Sequence, residues 1–102
     1  MEKFIYYNEL FDIYGTFINE KNSNIFTLYY EENLSMQEIS EIVGVTKSRI
    51  GTMIKTIEKK LDSMEDKLGL YKKKNILVDI LELDDINLIK DKVKEILDYE
   101  WY

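Results

Sequence analysis

Apolar residues recur along the chain at three- and four-residue intervals almost from the first position. Phe4, Ile5, Tyr7, Leu10, Phe11, Tyr14, Phe17 and Ile18 trace one face of a helix about four turns long. Asn19 is suited to cap a second helix running through Ile25, Leu28 and Tyr29 into the polar turn Glu31-Glu32-Asn33. Ser35 opens a third helix, and Glu38 completes a Ser-x-x-Glu capping box in which each residue satisfies an orphan amide of the other. Gly44 can take the positive φ that ends this helix, and Thr46 caps a fourth. The fourth helix is expected from Lys47 to about Leu68, with Gly69 as its stop. Its apolar residues Ile50, Ile54, Ile57, Leu61, Met64 and Leu68 are spaced 4, 3, 4, 3, 4, as in a heptad seam. Beyond it, Lys72-Lys73-Lys74 reads as a solvated connector, followed by apolar Ile76, Leu77, Ile80 and Leu81. A last helix, capped by Asp84 or Asp85, carries Ile86, Ile89, Val93, Ile96 and Leu97.

The third and fourth helices together meet the physical requirements of a helix-turn-helix. Ser40 is small where two helices must cross closely, and Gly44 permits the sharp turn. Ile39, Val43, Val45, Ile50 and Met53 fall where apolar side chains lock the pair. The expected fold is therefore all-α: one domain over residues 1–102, with a helix-turn-helix core at about 34–60 and a C-terminal helical extension at about 72–102. If the motif binds DNA, the start of the second helix enters the major groove. The candidate contacts there are Thr46, Lys47, Ser48, Arg49, Thr52 and Lys55. Lysines would reach phosphates or guanine edges, and Ser48 and Thr52 would reach bases. Arg49 could equally pair with Glu38 or Glu41. Gly51 contributes no side chain and costs roughly 1 kcal/mol of helix stability. Lys72, Lys73 and Lys74 form a secondary basic patch that could meet RNA or an acidic protein surface.

Composition narrows the chemistry. The 102 residues contain no proline, no cysteine and no histidine. Missing proline, with only four glycines, argues against the many tight turns of a β-fold. Missing cysteine and histidine removes disulfides, Cys/His zinc sites and imidazole catalysis. Adjacent carboxylates at Glu31-Glu32 and Asp84-Asp85 suit helix ends better than acid–base chemistry, so no enzyme activity, metal or cofactor is expected. No signal peptide or membrane-spanning run is visible, which points to the cytoplasm. Charge is unevenly spread. The net charge is −6, with −4 over residues 1–33, +2 over 34–61 and −4 over 62–102. A mildly positive motif between acidic flanks is a poor electrostatic footprint for a free-standing DNA binder.

Leu10-Phe11-Asp12, Leu28-Tyr29-Tyr30, Leu34-Ser35, Glu38-Ile39, Val45, Ile54-Lys55, Glu58, Leu61 and Glu65-x-Lys67-Leu68 follow one another in an order that resembles the YlxM family. The resemblance spans roughly residues 4–75 and implies a sigma-factor region 4-like helix-turn-helix. It also implies a link to the signal recognition particle, through its GTPase or its RNA. The chain departs from that pattern at Lys21-Asn22, and at Thr46-Lys47-Ser48-Arg49-Ile50, where the family tends to open with Ser-Arg-Gln-Ala-Val. Two functions in different classes follow: a DNA-binding regulator, or a protein-interaction module that contacts the particle. The apolar seams exceed what one small chain can cover, and Tyr99-Glu100-Trp101-Tyr102 is markedly aromatic. A homodimer is expected on that ground, with the C-terminal helix as an intramolecular lid the competing arrangement.

Overall fold

The computed structural model describes residues 2–98, so the aromatic segment 99–102 lies outside the described residues. Among the described residues the elements are α1 (Glu2–Tyr14), a 3₁₀ turn (Gly15–Phe17), α2 (Glu20–Tyr30), α3 (Met36–Val43), α4 (Lys47–Leu68), α5 (Leu70–Leu81) and α6 (Ile86–Asp98), with no strand. The chain divides into two compact units at Met64/Glu65.

In the first unit the expected caps are in place. Asn19 Oδ1 accepts the Asn22 amide at 2.9 Å. Ser35 Oγ accepts the Glu38 amide at 3.1 Å while Glu38 Oε1 accepts the Ser35 amide at 3.0 Å. The Ser35 amide and then its hydroxyl hold the Glu38 carboxyl below its ordinary pKa. Gly44 sits at φ 80°, and Asn33, which tolerates the left-handed region, at φ 58°. The first helix is shorter than its apolar stripe suggests. It stops at Tyr14 and tightens into the 3₁₀ turn, leaving Phe17 64% exposed while Ile18 is buried. At the start of that turn a Cβ on Gly15 would stand 3.3 Å from the Phe11 ring, so the close approach of the ring suits a residue without a side chain.

The core is an aromatic wall contributed by α1 and α2. Phe26 stacks on Phe11 and on Tyr30, each with centroids 4.4 Å apart, and Tyr30 also meets Phe4, Tyr7 and Tyr29. Offset and tilted pairs of this kind contribute about 0.5–1.5 kcal/mol each beyond area burial. The α4 seam packs inward over its first four members: Ile50, Ile54, Ile57 and Leu61 are no more than 2% exposed. Met64 is half-buried and Leu68 is 43% exposed.

One charged side chain interrupts this apolar interior. Glu58 on α4 is buried and accepts a short hydrogen bond from the Tyr30 hydroxyl. Lys3 Nζ lies 3.4 Å from the same carboxylate oxygen. One turn further along α4, Asp62 accepts from the Tyr7 hydroxyl at 2.7 Å, and Lys60 Nζ donates to the Phe17 carbonyl at 3.0 Å. Burial first, and then the carboxylate partner, raises the phenol pKa of both Tyr30 and Tyr7.

In the second unit α4 ends at Gly69, which has φ 61°, and α5 begins at the next residue. Both carboxylate oxygens of Glu65 receive the first amides of α5, from Tyr71 at 3.0 Å and Lys72 at 3.1 Å. The run Lys72-Lys73-Lys74 is thus helical rather than a connector. A Gly stop leaves its neighbours able to restart a helix whenever a carboxylate is positioned to cap it. Asp85, not Asp84, caps α6, accepting the amides of Asn87 at 2.8 Å and Leu88 at 3.3 Å.

Two stability outcomes are expected. Leu61→Ala should cost about 2–5 kcal/mol in urea melts, the range for truncating a fully buried Leu, whereas Leu68→Ala should cost about 1 kcal/mol or less. A small loss at Leu61 would mean the seam does not carry the core. Tyr30→Phe, which strips a donor from a buried carboxylate, should cost about 1–3 kcal/mol. The raised phenols also set a pH dependence. Their stabilisation is intact below the unfolded phenol pKa of about 10 and is lost as pH climbs through the folded values. Absorbance at 295 nm should therefore show two tyrosines that ionise only together with alkaline loss of helical circular dichroism.

Candidate nucleic-acid interface

The exposed side of the helix-turn-helix is built from the cap of α4 outward. Thr46 Oγ1 accepts the Arg49 amide at 3.1 Å, fixing where α4 starts. The turn before it is closed by a bond not foreseen in the sequence: Ser40 Oγ donates to the Val45 carbonyl. Ser40 is thus more than a small residue at a crossing, since it satisfies a carbonyl that the sharp turn would otherwise orphan. Ile39 on α3 and Ile50 on α4 are fully buried, and Val43, Val45 and Met53 are half-buried.

With the seam turned inward, Thr46, Lys47, Ser48, Arg49, Thr52 and Lys55 are all exposed. The helix does not bring all six together. Lys47, Ser48, Thr52 and Lys55 line one open depression of 680 Å³, with Gly51 and Met36 completing the lining. Arg49 is about 200° round the helix from Lys47 and falls on the flank. Neither the Lys3–Glu58 nor the Lys92–Glu95 ion pair involves Arg49, and Arg49 stands exposed on that flank. Thr46 Oγ1 accepts the cap amide and keeps its O–H to donate, but the residue does not line the depression. Lys72, Lys73 and Lys74 lie on α5 in the second unit.

Hydrogen bonding limits what each polar side chain can read. Thr52 Oγ1 donates to the Ser48 carbonyl at 3.2 Å, leaving its lone pairs to accept from an outside donor. Thr56 repeats the arrangement one turn on, donating to Thr52 at 2.9 Å. In a major groove, an acceptor at position 52 matches the exocyclic amine of adenine or cytosine. Ser48 makes no such bond and can both donate and accept. Lys47 and Lys55 are two turns apart, about 12 Å along the axis, and bracket the depression as two positive ends.

Met36 is the contributor that sequence reasoning missed. It is the first residue of α3, yet its sulfur would lie 3.5 Å from a Cβ placed on Gly51, an ordinary van der Waals contact. Gly51 therefore does more than withhold a contact: it opens an apolar floor that is shared with Met36. The signal available in the sequence was the capping box, which fixes residue 36 at the start of α3, but the crossing of the helices decides where that residue points. Among the described residues no group of carboxylates is arranged to hold a metal ion. No helix there is long and apolar enough to cross a membrane.

Comparison with known proteins points the same way as the fold. The family described as "Putative helix-turn-helix protein, YlxM / p13 like", UPF0122, matches residues 1–99. A UPF0122 protein of Clostridium acetobutylicum is 37% identical over 97 residues, covering 93% of this chain and 84% of the relative. One from Clostridium kluyveri is 36% identical over 105 residues, covering 96% and 91%. One from Mycoplasma mycoides is 31% identical over 104 residues, covering 100% and 92%. No solved structure matches the chain. With the match running through the caps, the α3–α4 turn and the long recognition helix alike, the chain belongs to the UPF0122 family of YlxM/p13-like helix-turn-helix proteins.

Proposed function

We propose that this chain is a non-catalytic, cytoplasmic regulator that binds DNA by docking the first two turns of α4 into the major groove, as two copies with two recognition helices. The observation that carries this reading is the clustering of Lys47, Ser48, Thr52 and Lys55 on one open face of a capped recognition helix. In that docking the two lysines neutralise phosphates at either end, and Ser48 and Thr52 read base edges between them. Two phosphate contacts per motif make a weak binder, and the acidic flanks weaken it further. Pairing two motifs compensates, because half-sites held at fixed spacing bind jointly.

A second reading has its own support. Gly51 and Met36 give the depression an apolar floor, which suits a large apolar side chain of a protein partner better than a phosphate backbone. Under this reading the chain is an interaction module of the signal recognition particle, as the family resemblance implies, and the two lysines steer an acidic segment of the GTPase or the particle's RNA.

Fluorescence anisotropy with a mixed-sequence duplex tests the first reading. Affinity should fall with salt at a log–log slope of about −2 per motif, as expected for two phosphates. Lys47→Glu with Lys55→Glu should abolish binding. Binding that survives both changes would move the site elsewhere, with Lys72, Lys73 and Lys74 next in line. Gly51→Ala offers an independent check, because stability and binding should move in opposite directions. The added methyl meets only an ordinary contact at Met36, so the helix should gain about 0.5–1 kcal/mol. DNA affinity should drop several-fold, because the methyl rises from the floor between Ser48 and Thr52 where a base edge would approach. Unchanged binding would exclude the depression from the interface.

A further inference from the structure

The second unit is a helical hairpin whose two broad sides differ in chemistry. α5 and α6 pack on each other across the connection 82–85. Ile76 and Ile80 on α5 are half-buried, Ile89 on α6 is half-buried and Ile96 is buried, which marks the packed side of each helix. A second apolar stripe on each helix stays in solvent. Leu77 and Leu81 are 48% and 83% exposed, and Ile86, Val93 and Leu97 are 63%, 40% and 76% exposed. At 3.6 residues per turn, each exposed stripe is rotated from the packed one by about 70–100°, in the same sense. Equal offsets of one sense open to the same side of an antiparallel pair, so the two stripes form one face. They leave on the order of 500 Å² of apolar surface in water, a size at which exposed patches on single chains are often functional.

The charged residues sort with respect to this face. Lys74 on α5 and Lys90 and Lys94 on α6 are exposed. They lie about 40–80° from the stripe centres, on the edges away from the helix pairing. Asp79 on α5 and Asp91, Glu95 and Asp98 on α6 lie about 120° or more away, toward the back of the hairpin. Lys92, also toward the back, pairs with Glu95 at 3.6 Å. The open face is thus apolar in the middle and basic along both outer edges. We propose that it receives an acidic amphipathic helix of another protein, whose apolar stripe covers the leucines between two rows of Asp and Glu that meet the lysines. Ile80 and Ile89 lie between the stripes, and one helix laid over them completes a three-helix layer. Charge selects this occupant. A second copy would bring the same lysine-edged face, setting Lys74, Lys90 and Lys94 against their own counterparts across a two-fold axis. The pairing of two copies proposed above therefore uses another surface. An anionic bilayer matches the lysines, but it is unbounded and also meets Glu82, Asp84 and Asp85, exposed at the tip of the hairpin. A helix can end before the tip. The inference concerns the second unit and stands apart from the α4 depression.

The probe is a labelled synthetic helix of about 21 residues, with Leu at heptad positions a and d and Glu at e and g, long enough to span α5. Its counterpart carries Lys at e and g. Fluorescence anisotropy with the full chain should show binding of the Glu peptide, and binding of the Lys peptide at least tenfold weaker. Leu81→Gln with Leu97→Gln should weaken the Glu peptide about tenfold, with helical circular dichroism unchanged because both side chains already stand in water. Lys74→Glu, Lys90→Glu and Lys94→Glu together should reverse the preference, so that the Lys peptide binds more tightly. Mere damage to the hairpin would weaken both peptides without reversing them. No binding of the Glu peptide, or equal binding of the two, would overturn the proposal. Wild-type binding to phosphatidylglycerol vesicles that the Leu81/Leu97 pair abolishes would overturn it in favour of a membrane. A mass of twice 12.2 kDa that the same pair halves would overturn it in favour of a second copy. DNA binding by α4 is read separately and is not at stake in these outcomes.

Discussion

The first unit depends on how Glu58 is accommodated. A carboxylate carried inside an aromatic wall would cost several kcal/mol if left without partners. Here the Tyr30 hydroxyl and the Lys3 ammonium supply them, one from α2 and one from α1. The arrangement also fixes the rotation of α4. A slip of one residue, about 100° of helix, would bring Lys59 toward Lys3 and remove the acceptor from Tyr30. The outward direction of Lys47, Ser48, Thr52 and Lys55 is thereby tied to a contact about one to three turns further along the helix. The two faces of α4 are one constraint: the seam and Glu58 look inward, and what remains looks out.

Much of this was legible in the sequence. The caps at Asn19, Ser35 and Thr46, the positive φ at Gly44, the limits of α4 and the first four members of its seam all follow from local chemistry acting within three or four residues. Departures arise where a residue answers to something distant. Phe17 continues the α1 stripe by spacing, but the helix stops at Tyr14 and tightens into a 3₁₀ turn in which the Phe11 ring lies close to Gly15. Gly69 reads as a stop, and it is one, yet Glu65 caps the next helix at once, so the lysine run is helical.

The candidate face was half legible. Its exposed polar members could be named because they are the residues that the seam leaves over. Which of them share a surface was not readable. Thr46 at the cap and Arg49 on the flank do not line the depression, and Met36 enters it from another helix. Glu58 appeared only as part of a family-like pattern. Nothing in the spacing of one acidic residue tells that a tyrosine 28 positions earlier will meet it.

The turn between α3 and α4 owes its shape to an angle rather than to a tight fit. Gly44 holds φ at 80°, yet a Cβ there would have no atom within 4 Å. Crowding at Cβ therefore does not explain the glycine at this position. Backbone preference alone does the selecting, and it disfavours β-branched residues most while Asn and Asp pass at modest cost. Gly15 is the opposite case, limited by volume under the Phe11 ring. Mutational tolerance at the two sites should accordingly follow different rules, one read from a Ramachandran preference and the other from side-chain size. The apex of the motif is thus a position where a substitution is limited first by backbone strain and not by contact at its Cβ.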